Sequence, residues 1–421
     1  MKVLHLASGD LNRGASRGAL WLHQGLLAQA VESRLLTTDP NPCGVGVSSA
    51  APGRWGSLRL RTLKQLDRLP LRLYRFDRRG TLSPGWVGIP IQAMPGYGEA
   101  DVIHLHWIND GLLDLRSLWR CTKPVVWTVR DLWPTTGLCH YPQGCQRQDQ
   151  GCGDCPLLPG PRWPWPDPSR FGYRRKQRWL AKASITYVGI SPWVAAQLRA
   201  SPITARSAVE MIWNGINTTA FHPVPRSQAR RFLGLDPFGG PFLLAEWRSP
   251  NSEPWKGFQH LLKILPDLRQ LGGKLMLFGD VPPELDGVTR AEGVYNLGRI
   301  EDDARLRHIY AAADVFICPT LEEAFGKTMA EAMACGTPVA AFASSAPADL
   351  VEPGLTGALA TPGDSGALLE TVHHLLPRSD HMAAHCAERA RERFGQTVCA
   401  GAYADLYERL CTGAVSGVQP S

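Results

Sequence analysis

No run of 18 or more apolar residues occurs in the 421-residue chain, so hydropathy gives no membrane-spanning helix. The opening MKVLHLAS is too short, and too soon followed by GDLNRG, to read as a secretory signal, and a cytoplasmic location is expected. There is no fixed-period repeat, which argues against solenoids and propellers. Outside one segment the chain has no basic surface pattern, so nucleic acid is not an expected partner. What remains is an ordinary globular composition, 44% apolar and 20% charged, with length for two or three domains.

Positive charge is concentrated. Between Arg54 and Arg79 there are nine Arg or Lys and two Asp, a local +7 equal to the net charge of the whole chain. Leu63, Leu66 and Leu69 are interleaved with the basic residues. Such an amphipathic element suits an anionic membrane surface, which would make the protein peripheral on the inner face of the cell membrane. A helix covering its own domain is the alternative.

Strand-like runs alternate with helical periodicity along the chain. KVLHLA is followed by a glycine-containing loop and a helix through Ala19 to Ala30. SRLLTT, DVIHLHW, PVVWTV, YVGIS and VEMIWNGI follow. A second series opens with FLLAEW and continues through KLMLFG, VYNLG and a helix DARLRHIYAAA. This alternation indicates parallel, doubly wound α/β sheets. The Pro-, Gly- and Arg-rich stretch from Asn214 to Gly240 reads as the linker, and two such domains facing across a cleft would take ligands at the carboxyl ends of their strands.

The densest chemistry lies in PTLEEAFGKTMAEAMACGTPVAAF, Pro319 to Phe342. VFICP predicts a buried strand and LEEAFG the loop leaving it. Met329, Ala330, Met333 and Ala334 recur at helical spacing over Lys327 to Cys335, and Gly336 with Pro338 ends the helix. Gly326 stands where the helix begins, a point at which free N–H groups favour an anion and glycine allows close approach. Glu331, one turn further in, could accept hydrogen bonds from ligand hydroxyls, and Glu323 faces the same mouth. A solvated acidic loop is the other reading. On DVIHLHW, His104 and His106 share a strand face, which suits a core role or a site role.

EAFGKTMAE resembles the E-x7-E motif of retaining GT-B glycosyltransferases of the family 4 type. In the same order, RGAS resembles that family's diphosphate loop, DVIHLHW its acceptor-side strand and WNGINTTAFHP its interdomain segment. WKGF resembles its Lys-Gly donor site and APADLVEPGLTGAL its nucleotide-proximal tail. The block VVWTVRDLWPTTGLCHY with CGDCPLL resembles a bacterial polysaccharide-assembly branch.

The resemblance implies a two-domain Rossmann-like (GT-B) α/β fold, with an acceptor-side domain over 1–213, a nucleotide-sugar domain over 214–400, and a helix in 401–421 returning to the first. It implies transfer from a nucleotide-diphosphate sugar, the donor, to a saccharide or lipid-linked acceptor, with no cofactor required. Lys256 and Arg248 would meet the donor pyrophosphate, although the spacing between them is longer than the family pattern. Gly14, Ala15, Phe325, Gly326 and Lys327 would help bind the donor, Glu331 its ribose, and Glu323 would lie near its sugar. Arg130 stands where the family has a histidine, which leaves Arg130 with Asp131, or His106, as the acceptor-side polar group. A non-catalytic nucleotide- or carbohydrate-binding partner, or a same-fold epimerase, are the alternative functions.

Cys139, Cys145, Cys152 and Cys155 fall within seventeen residues and end in C-x2-C. In a reducing compartment four such thiols resemble a structural zinc site more than a disulfide framework. Disulfides or free thiols are the alternatives. In each case the segment about 139–158 reads as an insertion bracing the first domain.

Overall fold

The computed structural model describes residues 1–11, 14–74, 80–158, 160, 166–249, 251–281 and 293–413. Two compact units are present: Met1–Gly215 together with the segment from Gln396, and Ile216–Gly395. Among the described residues no helix is long and apolar enough to cross a membrane.

The first unit is built on strands β1 (Lys2–Ala7), β2 (Glu32–Thr37), β3 (Val47–Ser49), β4 (Val102–Leu105), β5 (Val125–Val129), β6 (Ile185–Gly189) and β7 (Ala208–Met211). They lie in the order β3-β2-β1-β4-β5-β6-β7, all parallel. Every residue of VVWTV and ITYVG is buried, as expected of central parallel strands covered on both faces. Helices α1 (Gly14–Ala28), α2 (Gly53–Arg72), α3 (Pro168–Leu180) and α4 (Pro192–Ala200) connect them. Helix α1 starts earlier than the apolar spacing suggests. Its first turn is polar, but Ser16 is turned inward, its hydroxyl donating to the Ser8 carbonyl at 2.6 Å.

The second unit has β8 (Phe242–Trp247), β9 (Lys274–Gly279), β10 (Val294–Gly298), β11 (Val315–Cys318), β12 (Val339–Phe342) and β13 (Gly357–Ala360) in the order β10-β9-β8-β11-β12-β13. These too are parallel. Its helices are α5 (Arg226–Phe232), α6 (Phe258–Gln270), α7 (Asp303–Ala312), α8 (Lys327–Ala334), α9 (Ser345–Leu350), α10 (Ser365–Leu375) and α11 (Ser379–Phe394). The stretch read as a linker therefore holds a helix. Arg230 on α5 is buried because Asp314 meets its guanidinium at 2.7 Å and the Ala312 carbonyl accepts a further bond at 3.1 Å.

The last helix, α12 (Gln396–Cys411), belongs to the first unit, and the return comes at Gln396, ahead of the expected residue 401. Ala400, Tyr403, Leu406 and Tyr407, at helical spacing, enter one core cluster with Val3, Leu22, Leu26, Val102, Val126 and Val188. Helices α1 and α12 touch so closely that a Cβ on Gly25 would lie 2.9 Å from that of Ala400. Gly25→Val is therefore expected to cost about 1–3 kcal/mol by overpacking. Urea unfolding with an unchanged midpoint would show that the two helices do not pack in this way.

Candidate active site

In the second unit β11 runs out at Cys318, the chain loops through Glu323, and α8 starts at Lys327 with Gly326 at φ +85° before it. The neighbouring Lys-Gly turn is fixed by a tighter constraint. Gly257 has φ +68°, and a Cβ there would overlap the carbonyl oxygen of Pro319. Only glycine lets the main chain lie on that strand end. The contact is reinforced by the Trp255 carbonyl, which accepts from the Leu321 N–H at 2.7 Å and the Thr320 hydroxyl at 3.2 Å.

Lys256 is thereby brought onto Glu323, and the two form an ion pair with side chains 19% and 15% exposed. Burial disfavours the Lys256 ammonium, but the Glu323 and Glu246 carboxylates outweigh it and raise its pKa above the ordinary 10.5. Burial likewise opposes ionisation of Glu323. Lys256 and the N–H groups of Phe325 and Ala324 nonetheless hold its carboxyl below the usual 4.5. Arg248 joins the same group of charges: its guanidinium meets Glu246 at 2.6 Å and Glu253 at 3.7 Å, and Glu246 raises its pKa further. Glu246 also accepts from the Thr328 hydroxyl at 3.3 Å. Sequence reasoning misses Glu246, although a lone acid in the apolar run FLLAEW was a usable signal.

Two residues of this segment lie deeper than their spacing suggests. Glu331 does not face the mouth of the loop: it is wholly buried, accepting from the Tyr310 hydroxyl at 2.9 Å and pairing with Lys327 at 3.3 Å. Its helical position turns it toward α7 rather than outward. Phe325 offers no side chain to a ligand, since its ring is 2% exposed and packs edge-on to Phe394 at 5.4 Å.

In the first unit Gly14, at φ +46°, and Ala15 open α1, the former exposed and the latter half-buried. The acceptor-side candidates are separated by their partners. Arg130 donates to Asn214, and its guanidinium is pushed down to about 10 by burial. A Cβ on Gly18 would collide with it, so Gly18 makes its room. Asp131 turns instead to His140, 2.8 Å away, and to the Trp133 N–H at 2.9 Å. Arg130 and Asp131 thus do not act as one group, although with His106, Trp107, Asn109 and Trp133 they line one recess.

His106 is buried and belongs to a polar ladder. Its Nε2 lies 3.0 Å from His5 Nδ1, while His104 reaches Tyr407 at 2.6 Å and Thr128 at 2.7 Å, and Thr128 reaches Tyr403 at 2.7 Å. Donor atoms of His5, His104 and His106 lie within 4.8 Å of one another. Both His104 nitrogens are committed, and the Arg130 charge bears on all three rings, so the trio reads as a core ladder rather than a metal site. Burial holds each imidazole well below its ordinary value and neutral.

Residues 13–220 match the family described as Glycosyltransferase Family 4, and residues 249–378 match the one described as Glycosyl transferases group 1. The chain belongs to the family 4 type of glycosyltransferases. Among relatives of this glycosyltransferase family, D-inositol 3-phosphate glycosyltransferase 2 of Catenulispora acidiphila is 29% identical over 46% of this chain and 49% of its own. The D-inositol 3-phosphate glycosyltransferase of Thermobispora bispora is 28% identical over 51% of this chain and 56% of its own. The chain thus spans about half the length of these two relatives. Sucrose-phosphate synthase from Thermosynechococcus elongatus has the same fold, with a TM-score of 0.69 at 21% identity over 98% of this chain and 100% of its own. Anabaena HepE, solved with UDP and glucose, gives 0.62 at 18% identity over 97% and 99%. These likenesses show the fold, a GT-B type with two Rossmann-like α/β units.

The Lys256–Glu323 pair sets a pH dependence. The lowered Glu323 pKa contributes stability that is present above the unfolded carboxyl value and lost as pH falls through the folded one. The raised Lys256 pKa contributes stability that is present below the unfolded lysine value and lost as pH rises through the folded one. Glu323→Gln is therefore expected to lower stability by an amount constant between about pH 6 and 9 and shrinking below about pH 4. A difference independent of pH down to acid unfolding, in chemical denaturation, would count against the pair.

Proposed function

We propose that the chain transfers a sugar from a nucleotide-diphosphate sugar to a saccharide or lipid-linked saccharide acceptor in polysaccharide assembly, with retention at the anomeric carbon. The observation that carries the reading is the gathering of Lys256 and Arg248 beside Glu323 and the loop that opens α8. Breaking a glycosyl–phosphate bond builds negative charge on the leaving diphosphate and positive charge on the sugar. Fixed cations and oriented N–H groups at the phosphates stabilise that transition state. In this reading Lys256 and Arg248 meet the diphosphate and Glu323 orients Lys256 near the donor sugar. Gly14, Ala15 and Gly326 offer main-chain N–H groups or close approach. Lys327, 27% exposed, covers Glu331, and its turn toward a phosphate would open that carboxylate to ribose hydroxyls. His106 and Arg130 stand on the acceptor side. The UDP-glucose complex of HepE supports a nucleotide-sugar donor.

The test is release of nucleoside diphosphate when the chain is incubated with a panel of donors and a saccharide acceptor. Lys256→Ala is expected to lower turnover by on the order of 10²–10³, assayed well below the variant's thermal midpoint, which loss of the pair lowers. Turnover within twofold of the unaltered chain would reject the assignment.

The lipid-linked acceptor is supported by α2. Trp55, Leu58, Leu66 and Leu69 are 84%, 53%, 48% and 49% exposed, and at 3.6 residues per turn they form one stripe. Arg54, Arg59 and Arg61 flank it without partners among the described residues. Lys64 and Arg68 are instead tied to Asp110, at 2.9 and 2.8 Å, and serve the fold. Residues 75–79 of the basic segment lie outside the described residues. Replacing Arg54, Arg59 and Arg61 with glutamine and Trp55 with serine is expected to abolish most binding to anionic vesicles. Transfer to a soluble acceptor should be retained. Vesicle binding unchanged by these substitutions would remove the membrane reading.

A further inference from the structure

Lys176 on α3 is the strangest charge in the first unit. It is 1% exposed, and no carboxylate lies within salt-bridge distance of it among the described residues. Its ammonium donates to the carbonyls of Trp133 at 2.5 Å and Thr136 at 2.9 Å and lies 3.6 Å from the centre of the Trp133 ring. Burial pushes its ammonium down to about 7, and the ionisable groups that oppose this most strongly are Cys139 and Cys152, ahead of Asp131, which is already engaged by His140. A buried cation without a counter-charge is costly, and neutral thiols supply none.

Cys139 and Cys152 bear on Lys176, and the chain around Cys152 is sharply bent. Residues Gly151, Cys152, Gly153 and Asp154 all have left-handed φ, at 89°, 56°, 111° and 44°, a conformation that two of the four adopt against their preference. Burial raises the Cys152 thiol, and the Gly137 N–H that its Sγ accepts at 3.3 Å partly opposes that rise. Gly137 is itself wedged against the Ser169 carbonyl with no room for a side chain. Cys139 and Cys155 pack against one apolar cluster of Tyr74, Leu82, Leu138, Leu157 and Leu158. Asp167 fastens the Cys155 N–H at 2.8 Å to the first turn of α3. All four cysteines are unpaired thiols, and no three of their sulfurs lie within 4.8 Å of one another. A tetrahedral zinc with sulfur at about 2.3 Å would draw them to about 3.8 Å apart.

We propose that Cys139, Cys145, Cys152 and Cys155 bind one structural zinc ion as thiolates, and that buried Lys176 is the cation that balances the resulting charge. Binding Zn²⁺ to four thiols releases four protons and leaves a dianionic centre. Lys176 faces it with positive charge, whereas the Arg147 guanidinium, bonded to the Gly153 carbonyl at 3.1 Å, is paired with Asp154 at 3.2 Å. The same ammonium holds the carbonyls of Trp133 and Thr136, so the metal site braces the loop that carries Arg130 and Asp131.

The test uses the full chain expressed with zinc in the medium. Elemental analysis is expected to give about one zinc per chain, released in step with modification of four thiols by a mercurial. Replacement by cobalt should give the sulfur-to-metal absorption of a tetrathiolate centre. Lys176→Met is expected to weaken zinc retention against a competing chelator by about 10–100-fold, the usual effect of removing a group that supports metal ligands. Should that variant not fold, the cobalt spectrum of the unaltered chain still decides the ligand set. Protein without zinc, or a disulfide among these four found by mapping unreduced peptides, overturns the site. A zinc-loaded Lys176→Met chain with unchanged retention overturns the role of the lysine.

Discussion

The contact between the main chain at Gly257 and the carbonyl of Pro319 decides where the charges of the second unit lie. A side chain at residue 257 would push the Lys-Gly turn off the end of β11, and the left-handed φ there leaves glycine as the residue that fits. With the turn seated, Lys256 falls on Glu323, and Glu323 in turn accepts the N–H groups of its own loop. Removing one member of a buried pair costs about 3–5 kcal/mol because the other charge is left uncompensated. The pair is thus held as a unit, and Arg248 joins it through Glu246 rather than through proximity in sequence.

The first unit carries its polarity inside. A ladder from His5 through His106, and from His104 to Thr128, Tyr403 and Tyr407, links β1, the end of β4, β5 and α12, and of the two roles open to His104 and His106 it favours the core one. Burial keeps the imidazoles neutral, so they contribute hydrogen bonds without the cost of buried charge. Because Tyr403 and Tyr407 come from the last helix, the core of this unit is completed only when the chain returns to it.

Strand identity was legible because parallel strands buried on both faces read as short apolar runs between turn residues, and KVLHLA, VVWTV, FLLAEW, KLMLFG and VAAF all do. The helix over Lys327 to Ala334 was legible from its spacing and its glycine stops. What was not legible depends on contacts between distant residues. Glu331 reads as a surface glutamate until Tyr310 and Lys327 are seen to enclose it. Arg248 looks too far from Lys256 in sequence, yet β8 and the turn before α6 bring both to Glu246 and Glu323. The polar first turn of α1 and the helix α5 were hidden for the same reason: Ser16 and Arg230 are polar residues whose partners lie elsewhere in the fold. Lys176 gave no signal at all, since nothing in YRRKQRW distinguishes a buried lysine from its exposed neighbours.

The central claim is that Lys256 and Glu323 act together on a diphosphate. A double-mutant cycle on nucleoside diphosphate affinity, measured by calorimetry for Lys256→Met, Glu323→Gln and the double variant, tests it most directly. If Glu323 works by holding Lys256 in place, both single changes weaken binding and the double variant is no weaker than Lys256→Met alone. Losses that simply add, or an affinity that Lys256→Met leaves untouched, would contradict the account.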